Sequence, residues 1–351
     1  MTGETTKQKI LFGCPGTGKS HKVEADILKG YDKSNIINCV FHPEYSYGDF
    51  MGKLMPFSRA DHISYNYYAG HFMRALAQAY KNIKEDAQKT PAPVALVIDE
   101  INRGNTAAIF GSVLQLLDRA HDGSSVYCIN LSIMELDSLV HLVDEDVFDD
   151  SEVKNFIEDK RLGKAIEKLN ATLGDYLSHD GIKLPPNLSI IGTMNTSDEF
   201  IYYMDSAFKR RWDWEYVGLK PVKPEKDTKI SAWNWKISKA EERENILWTV
   251  FVDNLNIFIK AQSGSIRKVE DKQIGYWFIK AKDNNIITQD QIKGKLMFFL
   301  WDSVFQRSKK PLEVLLSDND SEVKLITFGD FSGKVVGFIE KVKGYETAVE
   351  S

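Results

Sequence analysis

The chain has 351 residues, a length at which about two domains are more usual than one hydrophobic core. Its composition, 43% hydrophobic and 27% charged, is that of an ordinary soluble globular protein. A net charge of −5 excludes a general attraction to nucleic acid, so any such contact must come from a local patch or a partner. No apolar run approaches the length of a membrane span, and the first nine residues are too polar for a signal peptide.

The three cysteines are scattered along the chain at Cys14, Cys39 and Cys128, without the spacing of a metal site. Reduced thiols are the simplest account of such scattered cysteines, and they predict a cytoplasmic protein. The sequence shows no internal repeat and no low-complexity tract.

A glycine-rich segment follows the apolar run Lys9–Phe12, which has the composition of a buried strand. The segment fits the pattern G-x-x-x-x-G-K-S and consists of Gly13, Cys14, Pro15, Gly16, Thr17, Gly18, Lys19 and Ser20. Glycines here let backbone N–H groups turn inward around phosphate oxygens. Lys19 is then expected on the β- and γ-phosphates, and the Ser20 hydroxyl on Mg²⁺. The segment predicts a nucleoside triphosphate site; an ordinary glycine turn is the alternative.

A second apolar strand, predicted at Pro93–Ile98, runs into two adjacent acids. This is the pattern of a Walker B site, in which Asp99 lies in the outer shell of the Mg²⁺ and Glu100 polarises the attacking water. Two acids after a strand are often only a solvated turn. Their presence in one chain with Lys19 and Ser20 favours the catalytic interpretation. A further buried strand is predicted at Asn35–Phe41.

The strand predicted over 187–193 leads to Asn195, which is placed to hold the attacking water or to sense the γ-phosphate. A simple strand-ending turn is the other interpretation of this asparagine. Further on, Arg210 and Arg211 lie near a predicted helix end. Arginines at this place can bind the triphosphate held by a neighbouring subunit. Alternatively, they are cations that cap the C-terminus of the helix.

Residues 132–179 are expected to form an acidic, helical insertion with a negative run at Asp144–Asp150. A solvated surface excursion is favoured, with partner docking as the alternative. Glu158-Asp159-Lys160 has the E-x-K form of a metal-dependent nuclease, but its helical context argues against that chemistry.

The remaining pattern predicts an α/β protein in which a helical lid follows a parallel-sheet core. Amphipathic helices are predicted at 68–84, 241–260 and 291–305, and a further helix at 110–117. Further strands are predicted at 125–131 and 183–189. The expected domains are a nucleotide-binding core at 1–218, a linker at 219–239, a lid at 240–310 and a tail at 311–351. Strand-like pieces are expected in the tail at 323–328 and 334–339.

Several of these motifs together resemble the McrB-type branch of the AAA+ ATPases, the motor subunits of methylation-dependent restriction systems. The resemblance extends over about residues 9–305. The similar segments are GCPGTGKS, FHPEYSYGDFMGKLMP (41–56), YAGHF (68–72), LVIDEINRGN (96–105), LPPNLSIIGTMNTSD (184–198), AFKRRW (207–212) and QIGYWF (273–278).

The resemblance implies an AAA+ P-loop NTPase with Lys19 and Ser20 on phosphates and Mg²⁺, Asp99 and Glu100 as Walker B residues, and Asn195 as the sensor. It implies that Arg103 and either Arg210 or Arg211 act across a subunit boundary in a homo-hexameric ring. It also implies GTP or ATP as substrate, and an McrC-like partner that stimulates hydrolysis and carries or recruits a nuclease.

Two departures from the family pattern stand out. The family sequence M-N-T-A-D-R is replaced here by one with Ser197-Asp198-Glu199, which reverses the charge at the arginine position. Relatives also carry an N-terminal DNA-recognition domain, whereas the sequence given starts a few residues before its first predicted strand. Target recognition is therefore expected in another subunit, in the insertion, or nowhere, with DNA contacted indirectly.

The leading hypothesis is a ring-forming NTP hydrolase that serves as motor or switch of a restriction or anti-phage complex, without membrane contact. A MoxR-like chaperone ATPase that remodels a protein client is the rival enzyme. A nucleotide-gated oligomeric scaffold is the rival from another class, and the Asp99-Glu100 pair argues against it because a pure binder has no need of Glu100.

Overall fold

The computed structural model describes residues 6–59, 62–86, 90–147, 158–179, 181–196, 202–219, 236–237, 246–281, 285–318 and 322–345. These residues form two compact units. Unit 1 is drawn from residues 1–11, 20–194 and 199–215, and unit 2 from residues 12–19, 195–198 and 216–351.

The strands are β1 (Gln8–Gly13), β2 (Ile36–Val40), β3 (Gly52–Arg59), β4 (His62–Ala69), β5 (Val94–Asp99), β6 (Leu177–Ser178), β7 (Gly181–Ile182), β8 (Leu188–Asn195), β9 (Asp213–Tyr216), β10 (Lys236–Ile237), β11 (Ile246–Leu247) and β12 (Ile286–Ile287). The α-helices are α1 (Lys19–Lys22), α2 (Tyr47–Phe50), α3 (His71–Glu85), α4 (Thr106–Phe110), α5 (Ile133–Val143), α6 (Glu158–Leu173), α7 (Ser206–Lys209), α8 (Trp248–Ala261), α9 (Val269–Lys272), α10 (Gln289–Gln291), α11 (Lys310–Leu316), α12 (Phe328–Ser332) and α13 (Val335–Lys343).

Shorter helical turns extend several of these helices. The 3₁₀ segments are Lys33–Asn35, Ile101–Arg103, Gly111–Leu117, Glu145–Val147 and Gly174–Tyr176, and the π segments are Val23–Ile27, Ile292–Met297 and Leu300–Val304.

The main sheet lies in unit 1 and has the order β2-β5-β8-β1-β9 among the described residues. β5 pairs in parallel with β2 on one side and with β8 on the other, and Val40 lies opposite Asp99 in this register. Because parallel strands end at the same edge of a sheet, β5 and β8 deliver their last residues to one edge. The predicted α/β class with a parallel-sheet core is confirmed.

The core of unit 1 forms because the central strands are apolar on both faces. Leu96, Ile98 and Ile190 are fully buried, and helix α3 lies over β2 and β5 with Phe72 and Leu76 inward. α3 begins at His71, since Tyr68 and Ala69 belong to β4.

The β3–β4 hairpin was not predicted from the sequence, and the helix predicted from residue 68 overlaps the end of its second strand. Its two strands pair in antiparallel register from Gly52–Ala69 to Arg59–His62. Leu54, Phe57, Ile63 and Tyr65 are exposed, so no burial pattern marks these strands. Pro56 is tolerated because a two-stranded hairpin has two free edges.

Unit 2 has its own core and a small sheet of order β11-β10-β12 among its described residues. Helices α8 and α13 pack together, with Trp248, Phe251 and Phe338 buried. The helix predicted over 291–305 is present as α10 and two π segments. The helix predicted over 241–260 begins at Trp248 in the described part, because Ile246-Leu247 pair with β10.

Two sets of predicted strands are wrong. The tail residues 334–339 belong mainly to α13, whose buried Val335, Phe338, Ile339 and Val342 follow helical spacing, and residues 323–326 form neither strand nor helix. Over 125–131 the structure has only isolated bridges at Ser125 and Ile129 among the described residues. Strand β8 starts at Leu188, since the prolines at 185 and 186 have no N–H for a ladder.

Some expectations lie outside the described residues: Ser197-Asp198-Glu199, most of the proposed linker, and residues 148–157 of the insertion with part of its acidic run. Within the described residues, every helix is too short or too polar to cross a membrane. The expected domain boundaries stay predictions.

Candidate functional site

The glycine-rich segment forms a tight loop between β1 and α1. Gly13, Gly16 and Gly18 all have positive φ, which other residues rarely adopt. Lys19 is buried, and its Nζ donates hydrogen bonds to the carbonyl oxygens of Gly13 (3.0 Å) and Cys14 (2.9 Å). The lysine ammonium therefore lies against the loop that the sequence assigns to phosphate.

The loop is also bonded to the segment QIGYWF (273–278), which turns at residues 276–277. The N–H of Gly275 donates to Pro15 O, and the N–H of Trp277 donates to Gly16 O, both at 2.9 Å. Sequence reasoning did not predict that this segment contacts the loop, because no local pattern encodes a bond across about 260 residues.

Asp99 is the last residue of β5, and its carboxylate is fixed by the neighbouring strand. The Thr193 hydroxyl donates to Asp99 Oδ1 over 2.7 Å, and Thr193 is buried in β8. Parallel pairing of β5 with β8 sets this contact, because Ile98 lies opposite Gly192. Thr193 was not among the predicted site residues, although it immediately precedes Met194-Asn195 in the sequence.

Glu100 has a left-handed backbone with φ 55° and ψ 42°. Such a conformation costs a non-glycine residue about 1–3 kcal/mol and is concentrated at functional sites. It turns the chain sharply out of β5 into the 3₁₀ segment at Ile101–Arg103. Arg103 follows in this segment, and its Nε lies 3.3 Å from Glu100 Oε2. The structure therefore brings Arg103 to Glu100 within one chain.

Asn195 ends β8, two residues beyond Thr193, and is partly exposed. Asn195 and the next residue, Thr196, both belong to unit 2. The Thr196 hydroxyl donates a hydrogen bond to the Asp271 carboxylate. Burial raises the pKa of Asp271. The structure places Asn195 at the end of a strand; its role as a sensor stays a prediction.

The two candidate arginines differ sharply in their surroundings. Arg211 donates from Nε (3.1 Å) and Nη2 (2.7 Å) to Asp118 Oδ2, and from Nη1 to Ala207 O, and only 10% of its side chain is exposed. Arg210 follows α7 directly and is exposed. The structure thus fixes Arg211 inside unit 1 and leaves Arg210 at the surface.

These arginines line one cavity of about 600 Å³ in unit 1. Its wall also includes Gln8, whose side-chain amide donates to the carbonyl oxygens of Leu117 and Arg211. Arg119 is also part of the wall and donates hydrogen bonds to the carbonyl oxygens of Gly123, Pro185 and Leu188. The cavity is therefore bounded by groups that bond to one another.

The cysteines form no disulfide in the structure. Cys14 and Cys39 are buried and Cys128 is exposed. Burial raises the pKa of the Cys14 thiol, and it raises that of Cys39 to about 12. Buried protonated thiols of this kind are inert, so neither is a candidate nucleophile.

The donor set suits Mg²⁺ bound together with a nucleotide. No cluster of three His, Cys, Asp or Glu side chains with metal-binding geometry occurs in the described part of the chain. Mg²⁺ in phosphoryl-transfer sites needs no such cluster, because it uses one or two protein oxygens, waters and substrate phosphates. The exposed Ser20 hydroxyl and the Thr193-oriented Asp99 carboxylate are oxygen donors of the required kind.

Comparison with known proteins gives two sequence relatives, while no model of a known protein family matches. The chain is 29% identical over 328 residues to the type II restriction enzyme BsuMI component YdiS of Bacillus subtilis (strain 168), covering 86% of this chain and 80% of that protein. It is 27% identical over 222 residues to the type IV methyl-directed restriction enzyme EcoKMcrB subunit of Escherichia coli (strain K12), covering 61% of this chain and 36% of that subunit.

A solved structure of a protein from Cytophaga hutchinsonii covers 97% of this chain and 85% of its own at 13% identity. Its TM-score is 0.27, below the level that indicates a shared fold. Similarity to restriction-system proteins, which the motifs predict, is confirmed by these two relatives. By sequence, the chain is similar to components of bacterial restriction enzymes, the EcoKMcrB subunit among them.

Proposed function

We propose that this chain is a Mg²⁺-dependent nucleoside triphosphate hydrolase and the motor or switch subunit of a restriction or anti-phage defence complex. The observation that carries the hydrolase proposal is the strained turn at Glu100, directly after an Asp99 carboxylate oriented by Thr193. A nucleotide-gated scaffold would have no use for a strained acid at this place. The defence role is supported by similarity to two restriction-enzyme components.

In this proposal the glycine-rich loop binds the phosphates through its backbone N–H groups and Lys19. The Ser20 hydroxyl and the Asp99 carboxylate would hold Mg²⁺. The metal ion, when bound, neutralises negative charge on the phosphate oxygens. Thr193 keeps the Asp99 carboxylate in one orientation through its 2.7 Å hydrogen bond.

Glu100 orients the attacking water and accepts its proton. Arg103, 3.3 Å from Glu100, holds that carboxylate in place within its own subunit. This assignment differs from the resemblance, which implies that Arg103 acts on the neighbouring subunit. Asn195 contacts the water or the γ-phosphate from the end of β8.

In the hexameric ring that the resemblance implies, an arginine from the next subunit completes each site. Arg210 fits this role better than Arg211, because Arg210 is exposed whereas Arg211 is held by Asp118 and Ala207. An arginine supplied in this way accelerates phosphoryl transfer by about 10³–10⁵. Hydrolysis would then depend on assembly.

An McrC-like partner that carries or recruits a nuclease is the proposed activator, and DNA is contacted through that partner. The test is turnover of ATP and of GTP with Mg²⁺, with and without the product of the adjacent gene. Stimulation by a nuclease-bearing partner supports the proposal. Stimulation only by an unrelated protein client would replace it with a chaperone ATPase, and ring formation without turnover would replace it with a scaffold.

A further inference from the structure

Backbone hydrogen bonds join the turn at residues 273–278, called here the lid turn, to the glycine-rich segment at residues 13–20, called here the phosphate loop. The N–H groups of Gly275 and Trp277 donate to Pro15 O and Gly16 O at 2.9 Å. All four residues belong to unit 2. Two successive loop carbonyls are thereby held toward the lid turn.

Peptide geometry fixes what these two bonds do to the loop. A trans peptide unit is planar, and its C=O and N–H point in opposite directions. When Pro15 O faces the lid turn, the N–H of Gly16 must face away from it, and Gly16 O orients the N–H of Thr17 in the same way. Successive N–H groups directed to one side form a concave anion-binding surface.

The lid turn and the phosphate loop lie too close together for a side chain at Gly275 or at Gly16. A Cβ atom added at Gly275 would lie 2.2 Å from Gly16 O, and one added at Gly16 would lie 2.4 Å from the Phe278 nitrogen. The Trp277 indole also covers Gly18, where an added Cβ would lie 3.1 Å from a ring carbon. Glycine at 275 is therefore required by the approach of the two backbones.

The lid turn is held from behind by side chains of helix α8. The Asn256 amide donates to Ile274 O (2.8 Å) and accepts from the N–H of Ile274 (3.0 Å). Trp248 Nε1 donates to Tyr276 O at 2.7 Å, and the Tyr276 hydroxyl donates to Asp253 at 2.9 Å. Ile274 and Tyr276 are buried. A turn fixed in this way can impose its geometry on the loop.

We propose that the lid turn pre-organises the phosphate loop: Gly275 and Trp277 are positioning residues that keep the N–H groups of Gly16 and Thr17 directed at the polyphosphate. The inference rests on the proposed nucleotide site and adds a determinant of affinity to it. Binding to a pre-organised site is tighter because less ordering is needed when the ligand arrives.

The test compares Gly275→Ala with the matched control Gly264→Ala, since an added Cβ at Gly264 meets nothing within 4 Å. Binding of Mg-ADP and of Mg-GDP is measured by calorimetry, so that the readout is affinity rather than activity. Gly275→Ala is expected to weaken binding about tenfold or more, because two hydrogen bonds that orient the loop are lost. Gly264→Ala should bind like the wild type.

Equal affinity of Gly275→Ala and the wild type overturns the inference and leaves the proposed function standing. A wild-type protein that binds neither nucleotide overturns the proposed function and the inference with it. Amide hydrogen exchange of nucleotide-free wild type decides the matter if Gly275→Ala fails to fold. Protection of the Gly275 and Trp277 amides is expected, and rapid exchange at both would overturn the inference.

Discussion

The Thr193 hydroxyl donates a 2.7 Å hydrogen bond to the Asp99 carboxylate across two neighbouring parallel strands. The bond ties the acid at the end of β5 to the strand that continues to Asn195. It makes the orientation of a proposed metal-shell carboxylate depend on the register of the central sheet.

Thr193→Val should therefore lower turnover about 10–100-fold, the usual effect of removing a group that orients a metal-shell residue. The Mg²⁺ concentration needed for half-maximal turnover should rise, because Asp99 loses its fixed orientation. A magnesium titration of the turnover rate checks this. Thr193→Ser keeps the hydroxyl and serves as the control; a valine variant as active as the serine variant would remove Thr193 from the site.

Glu100→Gln should abolish hydrolysis while nucleotide binding and ring assembly persist. The amide keeps the shape of the side chain but cannot accept a proton from water, a loss worth about 10²–10⁴ in rate. Single-turnover hydrolysis and sedimentation with bound nucleotide measure the two properties separately. Turnover at the wild-type rate in this variant would show that Glu100 is not the base.

Substitutions of Arg210 and of Arg211 should have different effects on stability and on turnover. Arg211→Ala should lower the free energy of unfolding by about 1–3 kcal/mol, because it leaves Asp118 without its charged donor. Arg210→Ala should change that free energy by less than about 0.5 kcal/mol, as expected for an exposed side chain, yet reduce turnover strongly. Chemical denaturation and turnover assays measure the two effects.

Mixing two inactive variants tests whether Arg210 acts on the neighbouring subunit. In a random equal mixture of Arg210→Ala and Glu100→Gln, about a quarter of the interfaces combine an intact Glu100 with an intact Arg210. Activity should therefore return on mixing. A mixture as inactive as its components, despite exchange of subunits, would contradict action in trans.

The rate at which each cysteine is labelled should depend on how deeply its thiol is buried. A maleimide should label Cys128 rapidly and leave Cys14 and Cys39 unmodified in the folded protein, because burial raises the pKa of both thiols and keeps them protonated. Mass spectrometry of peptides after timed labelling measures the rates. Fast labelling of Cys14 would show that the phosphate loop opens readily.

The strand at 8–13 with the glycine-rich loop that follows it, and the strands at 36–40, 94–99 and 188–195, were predictable because short apolar runs and a glycine motif are local signals. The Thr193–Asp99 bond was not, since strand order and register depend on pairing between distant segments. The contact of Gly275 with the phosphate loop was hidden for the same reason.

Other misses have a different cause. The β3–β4 hairpin is exposed on much of its surface, so its sequence lacks the alternation that burial produces. Helix α13 was taken for a strand because Val335, Val336 and Ile339 are β-branched, although the buried positions recur at helical spacing. Which arginine is available at the surface depends on Asp118, about 90 residues away in sequence.

The most direct measurement is the Mg²⁺-dependent release of phosphate from ATP and from GTP by the wild type and by Lys19→Ala, at concentrations where the protein assembles. The account predicts turnover of at least one nucleotide by the wild type, loss of that turnover on removal of Mg²⁺, and loss of both binding and turnover in Lys19→Ala. Binding and turnover in Lys19→Ala equal to those of the wild type would contradict it.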